Sequence, residues 1–235
     1  MTELDPNNLS NLTSVPDLES PEAQARIQET LDKEQQLYDE LGFDAPELER
    51  ALILLRMADA QVGLKNNEAA WNNARRAFES FIDNEQWEAA VEACNLLYQT
   101  EQPASICALG QGIWLAVTFP VDVTLSINML THIIDETPAR SDGAAIAAIT
   151  AHYIADIRSD NKNHSSLSFL TRNILARVAE NHSDVKDQHS LDIWMLKLEL
   201  KDPEQFLPRL SKILNIIVED NWWYDKDTLR EKIPH

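Results

Sequence analysis

The sequence predicts an all-α chain of stacked antiparallel helical hairpins, arranged as an α-solenoid or an irregular bundle. Three observations predict it. Apolar residues recur at helical spacing in one segment after another. Helix start and stop signals punctuate the chain roughly every 15 to 20 residues. Period-two alternation bounded by Asn-Gly or Asp-Gly turns is missing, and Asp142-Gly143 opens an alanine-rich run instead of joining strands.

Residues 1–19 contain Glu3, Asp5, Asp17 and Glu19, no Lys or Arg, and no apolar period, which reads as a flexible acidic tail. That leaves 20–235 as a single helical domain. At Ser20-Pro21-Glu22 the pattern changes: Ser suits the N-cap, Pro the first helical position, and the acid the positive end of the helix dipole. This helix is expected to reach about Leu41, with Ile27, Leu31, Tyr38 and Leu41 on one face and Gly42 as the stop. Asp44-Ala45-Pro46-Glu47 repeats the start signal. Leu48, Leu52, Leu55 and Val62, with Ala51 and Ala58, then give the helical spacing, and Gly63 is the expected end.

Further helices are expected over 67–82, 85–101, 103–118, 121–136, 141–158, 164–182, 187–200 and 204–219, about ten in all. Their stripes include Leu191, Trp194, Met195 and Leu198, and Leu210, Ile213, Leu214 and Ile217. Short connections make antiparallel neighbours. Residues 102–134 carry a single charge, Asp122, so both helices of that hairpin are apolar nearly all round and belong in the centre of a stack or in a homodimer surface. The uncharged run 102–121 holds Gly110, Gln111, Gly112 and prolines near both ends, too short and interrupted for a membrane span.

Residues 71–103 resemble one tetratricopeptide unit, a helical hairpin of about 34 residues. With Ala90 set on the small position of its second helix, Ala77 and Phe81 fall on inward positions of the first. Trp87 takes the aromatic position opening the second helix, and Pro103 lies within one residue of the terminal proline. Phe78 and Leu97 depart from the pattern by replacing small residues. The resemblance implies TPR-like packing of helical hairpins in this part of the chain, and no peptide-binding residues are carried over from it.

The chain has 235 residues, 20 Lys plus Arg against 39 Asp plus Glu, and a formal net charge of −19. Residues 1–66 alone hold 14 acidic and five basic residues. Such a balance argues against nucleic acid or an anionic membrane surface as a partner, because both demand a basic footprint; it serves either solubility alone or attraction of a basic or amphipathic protein. Two cysteines, Cys94 and Cys107, make no disulfide framework, and the N-terminal residues lack the basic and apolar regions of a signal peptide, so a cytoplasmic location is expected.

Two histidines sit one helical turn before a carboxylate: His132 with Glu136, and His152 with Asp156. Spacing of i, i+4 puts both side chains on one helix face, and two such helices packed face to face would form a two-His, two-carboxylate metal site. The alternative is an ordinary intrahelical pair on each helix. Cys94 and Cys107 lie among apolar neighbours and read as small core residues. Gly110-Gln111-Gly112 follows no strand and is no nucleotide fingerprint, and no cofactor is implied.

Trp222, Trp223 and Tyr224 form the strongest candidate site. Three consecutive aromatics cannot all face one side of a helix, so they serve either as a partner-binding anchor with a polar rim or as a cap on the end of the stack. Trp71, Trp87 and Trp114 read as wedges between helices. The leading functional expectation is a non-catalytic protein-interaction module, an adaptor, assembly factor or dedicated chaperone. The alternatives are a helical metal-binding protein or enzyme built on His132, Glu136, His152 and Asp156, and a regulatory homodimer formed through 102–134.

Overall fold

The computed structural model describes residues 19–42, 44–138 and 140–233, and the expected tail, apart from Glu19, lies outside them. Among the described residues 77% are helical and none is in a strand. The helices are α1 (Pro21–Glu40), α2 (Glu47–Gly63), α3 (Asn67–Asp83), α4 (Trp87–Gln99), α5 (Ser105–Thr118), α6 (Val123–Glu136), α7 (Asp142–Arg158), α8 (His164–Ser183), α9 (Gln188–Lys197), α10 (Pro203–Val218) and α11 (Lys226–Arg230). The all-α class and the order of elements agree with the sequence, with the short α11 added.

Several helix starts follow the side-chain chemistry. Ser20, Asp122, Ser141, Asp187, Asp202 and Asp225 each accept a backbone N–H from the first turn of the helix they precede. The stops differ from expectation. Gly42 follows an extended cap at Leu41, and Gly63 is simply the last residue of α2, since no described glycine has a positive φ. Six non-glycine residues take positive φ instead, among them Lys65, Glu85 and Glu199, with φ of 58°, 57° and 54°. At each of these three, the following amide closes onto a carbonyl five residues back (Asn66 to Gln61, Gln86 to Phe81, Leu200 to Met195), which satisfies orphan carbonyls at the helix end. Three turns of one geometry without glycine hold these hairpins.

Consecutive helices from α1 to α8 pack side by side as antiparallel neighbours, and α2, α4 and α6 touch in order. The chain then departs from a simple open stack, because α10 doubles back and packs against α5 and α7. That return buries α5 on a further side: residues 108–116 are all buried, placing the first helix of the charge-poor hairpin in the core, while α6 keeps Thr124 and Asn128 exposed. Alanines 144, 145, 147, 148, 151 and 155 let α7 sit closely against α6, α8 and α10. Arg158 at the end of α7 donates to Ala116 O and Val117 O, both at 2.7 Å, supplying donors to the last carbonyls of α5. No described helix is long and apolar enough to cross a membrane.

Gly112 shows how tight this core is. A Cβ there would lie 2.5 Å from Met129 Cε and 2.6 Å from Cys94 Cβ, and the second atom belongs to a buried residue of α4 that cannot swing away. Gly112→Ala is expected to lower stability by about 1–3 kcal/mol in urea or thermal unfolding, through overpacking. A neutral effect would show that α4 and α5 are not held this close.

Candidate functional site

The aromatic triplet lies in an irregular segment between α10 and α11. Glu219 starts it with φ 53° and ψ −131°, a conformation that ordinary L residues rarely adopt, and turns the chain sharply off α10. The segment then crosses α5 and reaches α3. Trp223 sits edge-on to Trp71 at 6.2 Å and Phe78 at 5.3 Å, with the Arg75 guanidinium 4.3 Å from its ring centroid. Tyr224 packs on Trp114 at 5.4 Å, and Trp222 meets Trp114 at 6.3 Å under the Lys226 ammonium at 3.7 Å. All three aromatics are half-buried against the core.

Gln111 is the polar centre of this contact. Its side chain is fully buried; Nε2 donates to Asn221 O at 3.0 Å and Oε1 accepts from Trp223 N at 3.1 Å. Tyr224 Oη donates to Gln111 O at 2.8 Å, and burial pushes the phenol pKa well above its ordinary value. A primary amide that pairs with one C=O and one N–H of an extended chain recognises backbone, whatever the side chains. The triplet is thus seated in a groove of its own chain.

The four residues of the expected metal site are not gathered. His132 Nε2 pairs with Asn95 Oδ1 at 3.1 Å, and its ring lies 4.7 Å from that of Tyr98. Glu136 accepts from Tyr98 Oη at 2.6 Å. His152 Nδ1 pairs with Thr171 Oγ1 at 3.0 Å, while Asp156 faces His164 at 3.7 Å. Among the described residues no three His, Cys, Asp or Glu side chains group where a metal ion could be held. The i, i+4 spacing was present, but α6 and α7 turn each pair toward a different neighbour. Cys94 is buried in the core and Cys107 half-buried beside Asn221 O, and burial raises both thiol pKa values.

A feature the sequence reading missed lies where α10 returns. Ile106 and Leu109 of α5, Ile133 of α6, Ile146 of α7, and Ile213, Ile216 and Ile217 of α10 line an open cleft of about 520 Å³. Its rim holds Glu136, Asp142, Arg209 and Lys212. Ile216 is 74% exposed and Ile106 39%. The signal available in the sequence was Ile216 itself, an isoleucine beside the Ile213 and Ile217 stripe that widens the apolar face of α10. No family model, curated protein or solved structure matches the chain. The cleft and the aromatic groove therefore stand on their own geometry.

Trp223→Ala removes a ring wedged between α3 and the C-terminal segment, and is expected to cost about 2–4 kcal/mol of stability. A variant with unchanged thermal midpoint would leave these aromatics only an interface role. Burial pushes His132 and His152 below the ordinary imidazole value, opposed by Asp135 and Glu136 at the first and by Asp156 at the second. The unfolded chain then takes up these protons first, so the stability present above about pH 6.5 is lost as pH falls through the lower folded values. The thermal midpoint is expected to drop as pH falls below about 6.5, and a His132→Gln, His152→Gln double variant to flatten that slope. An unchanged slope in the double variant would remove these histidines from the account.

Proposed function

We propose that this protein is a non-catalytic protein-interaction module, an adaptor, assembly factor or dedicated chaperone, that docks an apolar helical segment of a basic partner in the isoleucine cleft. The observation that carries the reading is the cleft itself: about 520 Å³ of largely aliphatic surface with Ile216 three-quarters exposed at its edge. That volume falls in the range of about 300–1,000 Å³ typical of binding sites, and a hydrophobic groove beside a helix suits anchors spaced at i, i+3, i+4 and i+7. Exposed aliphatic side chains gathered in one concavity, instead of scattered singly, mark interaction surfaces.

Charge favours the basic character of the partner. The chain carries −19, and Arg209 is held by Asp142 at 3.1 Å, which leaves the mouth of the cleft without excess positive charge. A Lys- or Arg-flanked helix is steered to such a surface, with an on-rate that falls as salt rises.

A fluorescent synthetic amphipathic helix of Leu, Ala and Lys tests this by anisotropy with the full chain. Saturable binding that weakens with salt is expected, and Ile216→Asp should weaken it at least about tenfold, a change of ~1.4 kcal/mol, while leaving the thermal midpoint in place because the side chain is exposed. Equal affinity for the Ile216→Asp variant would overturn the reading.

A further inference from the structure

One wall of the cleft belongs to α10, and that wall is held at its two ends by unrelated contacts. At the N-terminal end Phe206 is buried against Tyr153 at 5.8 Å, and Arg209 donates to Leu198 O and pairs with Asp142. Pro208 lies inside the helix and has no N–H to give to the Glu204 carbonyl, so the helical ladder is interrupted just before the cleft-lining residues. At the C-terminal end Val218 is buried where Gly110 lets α10 approach α5: a Cβ at Gly110 would lie 2.6 Å from Val218 Cγ2. Immediately after it comes the strained turn at Glu219.

Everything beyond that turn is attached elsewhere. Asn221 and Trp223 are held through their backbones by Gln111, Trp223 sits under Arg75, Leu229 is buried, and Lys232 pairs with Glu85 in the α3–α4 turn at 2.8 Å. None of residues 219–233 lines the cleft. Any influence of this arm on the cleft therefore passes through α10, to which it is joined, or through α5, whose Gln111 holds it and whose Ile106 and Leu109 line the cleft.

We propose that residues 219–233 form a latch: seated across α3 and α5, the arm pins the C-terminal half of α10 and so preorganises the isoleucine cleft for its partner helix, and release of the arm lets that half pivot at Pro208 and dissolves one wall. This inference rests on the cleft being the docking site. The seat has the features of a reversible peptide contact. One buried amide clamps two backbone groups, half-buried aromatics sit beside cations, and an exposed ion pair closes the far end. The positive φ at Glu219 is a cost carried only while the arm is folded back, so it biases the latch toward opening. Coupling of this kind is reciprocal: if the seated arm tightens the cleft, an occupied cleft must hold the arm more firmly.

The test uses the full chain, the synthetic Leu/Ala/Lys helix as probe, and amide hydrogen exchange. Gln111→Leu removes the clamp at similar volume. It is expected to weaken probe binding about fivefold or more and to speed exchange across 221–232 while α2 and α4 stay protected. Should that buried change disrupt folding, Lys232→Glu loosens the same arm from its surface, with a smaller loss of affinity that the Glu85→Lys, Lys232→Glu double variant restores. Saturating probe should slow exchange of the arm amides in the unmodified chain. Unchanged or tighter probe binding in the loosened variants, or arm amides that exchange only on global unfolding, would overturn the latch. If Ile216→Asp weakens the probe while the arm variants do not, the latch alone falls. If Ile216→Asp is also without effect, the cleft reading falls with it.

Discussion

A helix without charge must be covered on every side, and α5 imposes that requirement on the whole molecule. From Ser105 to Thr118 it contains no ionisable side chain except Cys107, and residues 108–116 are all buried. Two neighbours in a hairpin stack cannot cover a full helical circumference. Here α4 and α6 cover two sides, α10 returns to cover a third, and the arm after α10 closes over Gln111, leaving Ile106 exposed at the cleft. The three-residue run Gly110-Gln111-Gly112 serves three of these contacts in turn. Gly110 admits Val218 of α10, Gln111 binds the arm, and Gly112 lies against Cys94 of α4 and Met129 of α6.

Burying Gln111 in this position has a cost that the arm offsets, with a further donation to Cys107 Sγ at 3.5 Å. A buried amide left without partners loses about 1–3 kcal/mol, whereas each hydrogen bond it makes returns about 0.5–1.5 kcal/mol net. With Asn221 O and Trp223 N in place, both ends of the amide are satisfied. The same bookkeeping explains Arg158, whose guanidinium is half-buried because it serves two carbonyls at the end of α5. Polar groups in this core specify where elements meet more than they add stability.

Electrostatics and packing are divided between regions. The negative charge concentrates in the first helices, where Asp59 and Glu92 are half-buried and burial raises both pKa values. The cleft lies at the other part of the stack, aliphatic within and mixed in charge at its rim. A long-range acidic field and a short-range apolar recess act at different stages of association, the first on encounter and the second on residence.

The sequence by itself determined the helices and most of their boundaries, and it narrowed 102–134 to the core or a homodimer surface, because apolar period, caps and charge depletion are local properties of a chain. It also determined that α6 and α7 each carry a histidine and a carboxylate one turn apart, but whether those pairs meet depends on helix rotation, which neighbouring side chains set. The tertiary structure alone decided that Lys65, Glu85 and Glu199 take the left-handed positions expected of glycines, since hairpin packing outweighs that small local cost. It also decided that α10 returns to α5 and α7 and that the arm closes over Gln111. These are contacts between residues far apart in the chain, more than 100 positions for those of Gln111 with the arm, and no periodicity records them; they arise because an uncharged helix left partly uncovered has only distant segments available to complete its shell.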